Sequence, residues 1–177
     1  MNREWLEERI AKYPICEYAF IDPKELSFLE EVRYICRTEC PQYGKSWSCP
    51  PAVGTVEECR KRCEKYTEGF LFTTMSEADL MGDMEEALKT RAEHEKITQR
   101  VRDLVCEECE DVLVLSTESC VICETCAYPK QACRHPDLMF PCIESYGILV
   151  TELSERYGIQ FISEAGVVTW FSLILYC

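Results

Sequence analysis

Histidine, glycine and basic charge are all scarce in this chain: two histidines, seven glycines, and 19 Lys and Arg against 32 Asp and Glu in 177 residues. No serine–histidine–acid motif can be read from it, no phosphate-cradling glycine loop, and no clear pair of carboxylates for acid–base work. The formal charge of -13 works against nonspecific attraction to nucleic acid or to an anionic membrane surface. Long apolar runs are missing as well. VVTWFSLILYC, from Val167 to Cys177, is too short to cross a bilayer as a helix and reads instead as a core strand. The opening MNREWLEERIAKYP is charged and lacks the apolar segment of a signal peptide. A secreted, oxidising setting therefore loses its usual support, and a cytoplasmic location is expected.

Cysteine is what the chain has in excess. Fourteen cysteines are more than a core needs, and inside a cell such usage points toward metal, cluster or thiol chemistry. The rest of the composition, 47% hydrophobic and 29% charged, is that of an ordinary globular protein. The length suits a single domain, 1–177, able to build a sizeable core without metal staples.

Helical and extended patterns alternate along the chain. WLEERI predicts a short helix, and YAFIDP a strand ended by Pro23. Thr55 with Glu58 three positions later forms a capping box for a helix whose Val56, Cys59, Cys63 and Tyr66 share a face. FLFTTM predicts a buried strand. Asp83 then caps a long helix reaching Cys109, with Met84, Ala87, Leu88, Val101, Leu104 and Val105 along its seam and His94 packed inward. DVLVLS follows as a strand. Pro141 opens a helix carrying Ile143, Tyr146, Val150, Leu153 and Tyr157, stopped by Gly158, and a strand spans Val167 to Leu175. The fold class expected is α/β or α+β: a mixed sheet packed by helices, with two cysteine-rich metal-binding loop regions at 36–63 and 120–142.

The second of these regions reads CVICETCAYPKQACRHP, with Cys120, Cys123, Cys126 and Cys133 in the pattern C-x2-C-x2-C-x6-C. Short intervals let one turn aim several thiolates at a single centre, and four thiolates suit tetrahedral zinc or the four irons of a cubane cluster. The first three match the compact part of a bacterial ferredoxin run, with a longer final interval. Cys142, at the predicted helix start, is a competing ligand. Lys130, Arg134 and His135 place donors around a potentially anionic centre.

The first region, CRTECPQYGKSWSCPP, spaces Cys36, Cys40 and Cys49 as C-x3-C-x8-C. Its C-x3-C portion lacks the C-x2-C continuation of radical S-adenosylmethionine enzymes. Cys59 or Cys63, i and i+4 on one helix face, is the expected fourth ligand, or else both belong to the core stripe. Tyr43, Lys45 and Trp47 are placed to cover such a site. Cys106 and Cys109 form a further close pair, while Cys16 and Cys177 have no local partner.

Together, C-x3-C-P-x-Y-G with W-x-CPP at 36–51, C-x2-C-x2-C-A-Y-P with CRHP at 120–136, and I-E-S-Y-G-I at 143–148 resemble an uncharacterised family of small cysteine-rich proteins described as predicted metal-binding proteins. The resemblance covers most of the chain. It implies metal binding by Cys36, Cys40 and Cys49 at one site and by Cys120, Cys123, Cys126 and Cys133 at the other. At position 142 it implies a small residue such as serine, so a ligand role for Cys142 departs from it.

The function expected from the sequence is a cysteine-ligated metal-binding protein holding an iron–sulfur cluster of the 4Fe-4S kind and engaged in electron transfer with a redox protein partner. The alternatives are a zinc-stabilised interaction module and a metalloenzyme of unstated reaction.

Overall fold

A computed structural model describes residues 1–78, 84–161 and 166–177. Its centre is a four-stranded sheet of β1 (Tyr18–Ile21), β2 (Glu68–Glu77), β3 (Val112–Ser116) and β4 (Val167–Tyr176), in the order β1-β2-β4-β3. Every neighbouring pair is antiparallel, where a mixed sheet was expected. Helix α4 (Met84–Glu108) joins β2 to β3 and returns the chain so that these two strands run parallel. They never touch, because β4 fills the gap between them and runs against both. The result is a mixed α/β fold on an antiparallel sheet.

Both faces of the sheet are covered. On one, Phe70, Phe72, Val114, Ile174 and Tyr176 pack against Leu6 and Ile10 of α1 (Arg3–Ile10) and Ile97, Val101, Leu104 and Val105 of α4. On the other, Leu71, Leu115, Phe171, Leu173 and Leu175 meet Cys59 and Cys63 of α3 (Val56–Cys63) and Val150 and Leu153 of α5 (Val150–Tyr157). A central strand buried on both faces must be apolar at successive positions, which explains the unbroken run in β4. Gly69 of β2 leaves the space into which the side chains of its partners on either side, Ile21 of β1 and Leu175 of β4, close. A Cβ there would lie 2.6 Å from Ile21 Cγ1 and 2.9 Å from Leu175 Cδ2.

The Thr55 capping box forms as expected. Thr55 Oγ1 accepts from the Glu58 amide at 3.2 Å, and Glu58 Oε2 accepts from the Thr55 amide at 2.7 Å. The helix expected from Pro141 is interrupted. A single 3-10 turn, Glu144–Tyr146, ends at Gly147 with φ 81°, and α5 begins only at Val150. Gly147 is in the left-handed region open chiefly to glycine, and a Cβ there would meet Leu29 O at 3.0 Å. Gly158 ends α5 in the same conformation, φ 68°. The expected Asp83 cap and the side chains of Met84, Ala87 and Leu88 lie outside the described residues. No helix among those described is long and apolar enough to cross a membrane.

His94 sits inside α4 as expected, 1% exposed, with Nδ1 2.8 Å from Thr74 Oγ1 and Nε2 2.8 Å from Ser172 Oγ. Burial, joined by the nearby charge of Arg91, pushes its pKa down to about 3. Between that value and the unfolded value near 6.5 only the unfolded chain takes up the proton, so stability rises with pH across this window and is lost on acidification. Each pH unit below about 6 costs about 1.4 kcal/mol. Urea unfolding of the wild type and His94→Gln at pH 6 and pH 5 should show this fraction of the acid sensitivity absent from the variant. An equal pH dependence in both would contradict the assignment.

Candidate metal centres

The two cysteine-rich segments meet beyond the C-terminal end of the edge strand β3. Residues 117–141 leave that strand and return to it: the Ser116 amide donates to Pro141 O at 2.9 Å and the Ile143 amide donates to Ser116 O at 2.7 Å. From α4, the buried Arg91 donates through Nε to Thr117 O at 2.8 Å and pairs with Glu95 at 3.1 Å, so the base of this excursion is tied to the core. Ser48, contributed by the other segment and 0% exposed, fastens both ends. Its Oγ accepts from the Cys120 amide at 2.9 Å and its carbonyl from the Cys142 amide at 3.2 Å.

Cys120, Cys123, Cys126 and Cys133 line one cavity of about 20 Å³, with Ser46, Trp47, Arg134 and His135. Trp47 is held there by an Nε1 hydrogen bond to Gln131 O at 3.1 Å and by edge-on contact with Tyr128, ring centroids 4.9 Å apart. It thus covers the second cysteine set, not the first. Arg134 Nη1 donates to Thr125 O at 2.9 Å and braces the loop. Burial acts to raise the Cys126 thiol, but hydrogen bonds from the backbone of Tyr128, Trp47 and Ala127 and from the Ser46 side chain outweigh it, leaving the thiol more acidic than usual. Sulfur surrounded by N–H and O–H donors is sulfur prepared to carry negative charge. Cys120 shifts upward, chiefly through burial.

Cys36 near the end of α2 (Glu30–Thr38), Cys40 in the turn after it, Cys49, and Cys142 line a second, larger space of about 280 Å³, shared with Tyr43, Glu118 and Glu144. Burial pushes Cys36 up to about 11 and raises Cys49 and Cys142 as well. Cys142 Sγ lies 2.6 Å from Glu144 Oε2, and burial raises that carboxyl too. Burial outweighs the nearby charge of Arg33 at Cys36 and leaves all three thiols less acidic than usual, so loading a metal here must expel protons. Cys142 thus stands with the first cysteine set and not the second.

Cys59 and Cys63 are 0% exposed in the core and line neither cavity. Arg62 reaches Cys59 Sγ at 3.1 Å. Cys106 is exposed at the end of α4, Cys109 packs into the core, and Cys16 and Cys177 are exposed. All fourteen cysteines are free thiols.

Among the described residues, no three or more Cys, His, Asp or Glu side chains close on a point where one ion could sit. The thiols instead stand around spaces. The space of about 280 Å³ lined by Cys36, Cys40, Cys49 and Cys142 has room for a polyatomic group, and the one of about 20 Å³ lined by Cys120, Cys123, Cys126 and Cys133 for a small occupant. Four soft sulfur donors at each, with amide and hydroxyl donors behind them, fit an iron–sulfur cluster or zinc in donor chemistry. Sequence reasoning missed Ser46, Ser48 and Glu144. The serines flanking Trp47 carry no motif, and their importance comes from burial alone.

No curated protein and no solved structure matches the chain. A family model does match, and residues 19–176 that it spans include all four strands from Ala19 onward and every cysteine lining the two cavities. The chain belongs to the family of that model, described as predicted metal-binding protein (DUF2284).

Proposed function

We propose that this chain is a two-centre metalloprotein of the iron–sulfur kind that takes up and passes on single electrons. The observation that carries the reading is the grouping of four thiols around each of two neighbouring cavities, which open onto one cleft of about 1140 Å³ reaching Cys40 on one side and Cys120, Cys123 and Cys126 on the other. Cys36, Cys40, Cys49 and Cys142 would hold the first centre, and Cys120, Cys123, Cys126 and Cys133 the second. An iron–sulfur cluster, when bound, supplies reversible one-electron chemistry whose potential responds to hydrogen bonds at sulfur and to exposure. The chain's own groups set those conditions. Amides and the Ser46 hydroxyl make the Cys126 thiol more acidic than usual, Trp47 lines the same space, and Arg134 and His135 set positive or polar groups beside the sulfurs. The charge of -13 favours a basic redox protein as partner, with the cytoplasm as the setting.

Structural zinc is the second reading, favoured at the second centre by its small space of about 20 Å³: four thiolates suit tetrahedral zinc once they draw together, whereas a cubane there requires the loop between Cys126 and Cys133 to widen. Visible absorption and electron paramagnetic resonance of anaerobically purified protein, before and after reduction, separate the two. Absorption that bleaches on reduction with a new paramagnetic signal supports iron–sulfur. A colourless, diamagnetic protein carrying zinc in both states would sink it.

A further inference from the structure

Tyr43 lines two spaces: the cavity of the first centre, and a separate cleft of about 690 Å³ between α2 and the start of α3 that no cysteine lines. Small-molecule sites usually measure about 300–1,000 Å³. Pro51 and the buried Val56 give this cleft apolar surface, and Tyr34 and Tyr43 give it two rings. Its cations are Arg33 and Arg37, four residues apart on one face of α2. Like charges at that spacing repel, yet in a chain with 32 acidic residues neither forms an ion pair among the described residues. Arg33 Nη2 is taken up by Gly54 O and, at 3.9 Å, by Cys59 Sγ, while its Nε is buried with no acceptor. The Arg37 guanidinium lies 5.5 Å from the centroid of the exposed Tyr34 ring and makes no hydrogen bond among the described residues. A buried donor left open calls for an acceptor from outside the chain, and here two guanidinium groups, two rings and an apolar floor border one space.

We infer that this cleft binds a small planar aromatic carboxylate beside the first centre. A guanidinium fork matches a carboxylate in shape and charge, so Arg37, with Arg33 behind it, takes the anionic end. The faces of Tyr34 and Tyr43 take the ring. Glu30, Glu31 and Glu58 line the cleft as well, and they limit the charge of the ligand. Glu58 is occupied by the capping box, its Oε2 accepting from the Thr55 amide at 2.7 Å and the Thr55 hydroxyl at 3.0 Å. Glu30 and Glu31 are exposed in the first turn of α2, more than one turn from Arg37. Three carboxylates against two guanidinium groups repel a polyanion such as a nucleoside triphosphate, and they leave a place for one negative charge at the Arg37 end. Tyr43 ties the cleft to the metal site, because its amide donates to Cys40 O at 3.2 Å. Binding here does not depend on which metal the first centre holds.

The probe is 2-naphthoate, titrated calorimetrically into anaerobically purified full-length protein, with acetate as the charge-only control and 2-naphthalenemethanol as the ring-only control. Wild-type protein should bind 2-naphthoate saturably and more tightly than either control. Arg37→Gln removes a charge-assisted hydrogen bond and should weaken binding about tenfold. Arg37→Lys keeps the charge without the fork and should weaken it less. Tyr34→Ala removes one ring contact and should weaken it about threefold. Both side chains are exposed on α2, so circular dichroism of the variants should match the wild type. Absence of saturable binding, equal affinity for either control, or wild-type affinity in Arg37→Gln or Tyr34→Ala overturns the inference. If Arg37→Gln fails to fold, Tyr34→Ala alone decides: weaker binding supports the inference, and unchanged binding overturns it. Cluster-loaded protein that does not bind 2-naphthoate overturns the inference and leaves the iron–sulfur reading intact. Cluster-free protein that binds it as expected supports the inference and counts only against that reading.

Discussion

Replacing Cys126 with alanine removes one of the two proposed centres and leaves the other loaded. The acidity of Cys126 is enhanced through donors from Tyr128, Trp47, Ala127 and Ser46 that act against burial. A sulfur surrounded by such donors takes on negative charge readily, and its loss leaves those donors facing an empty position. Removing an outer partner of a metal ligand already costs about 10–100-fold in metal affinity, so loss of the ligand itself should exceed about 100-fold. Metal content per chain should fall by the whole of one centre, with the first-centre spectrum retained. Full metal content in Cys126→Ala would contradict the assignment.

Cys142→Ala is expected to empty the first centre, while Cys63→Ala leaves both centres loaded and weakens the fold. The contrast follows from placement. Cys142 shares a cavity with Cys36, Cys40 and Cys49, whereas Cys63 is packed at 0% exposure in the core beneath α3 and lines neither cavity. Deleting a buried sulfur leaves a small void, and the expected cost is about 1–2 kcal/mol, read as an earlier urea midpoint. Metal analysis of the two variants side by side tests the pair. Loss of first-centre metal in Cys63→Ala with retention in Cys142→Ala would reverse the assignment.

Much of the scaffold was legible in the sequence because its signals are local. The Thr55–Glu58 box, the β-branched run of β3 and the unbroken apolar run of β4 each state their own conformation. Helix α2 was missed although Val32, Ile35 and Cys36 recur at helical spacing, because Leu29 supplies no side-chain cap and so no start signal marks it; Val32 is its only buried residue. The interruption at Gly147 was hidden because Ile143, Tyr146, Val150 and Leu153 keep helical spacing across a break that serves contact with Leu29 and Val56. Strand order was unreadable for a plainer reason: the partner of β2 is the last strand, from the far end of the chain.

The candidate site divides in the same way. C-x2-C-x2-C-x6-C names its own four residues, and they do line one cavity. The fourth thiol of the first set, Cys142, comes from nearly a hundred residues downstream of Cys49, and only the return of residues 117–141 to Ser116 brings it there. The i,i+4 spacing of Cys59 and Cys63 pointed to a shared face, and that face looks into the core.

Quantifying iron, acid-labile sulfide and zinc per chain in anaerobically purified wild-type protein is the most direct test of the account. The account predicts iron with matching sulfide at the first centre, and either the same or one zinc at the second. Protein that retains neither iron nor sulfide under conditions that preserve clusters would contradict it.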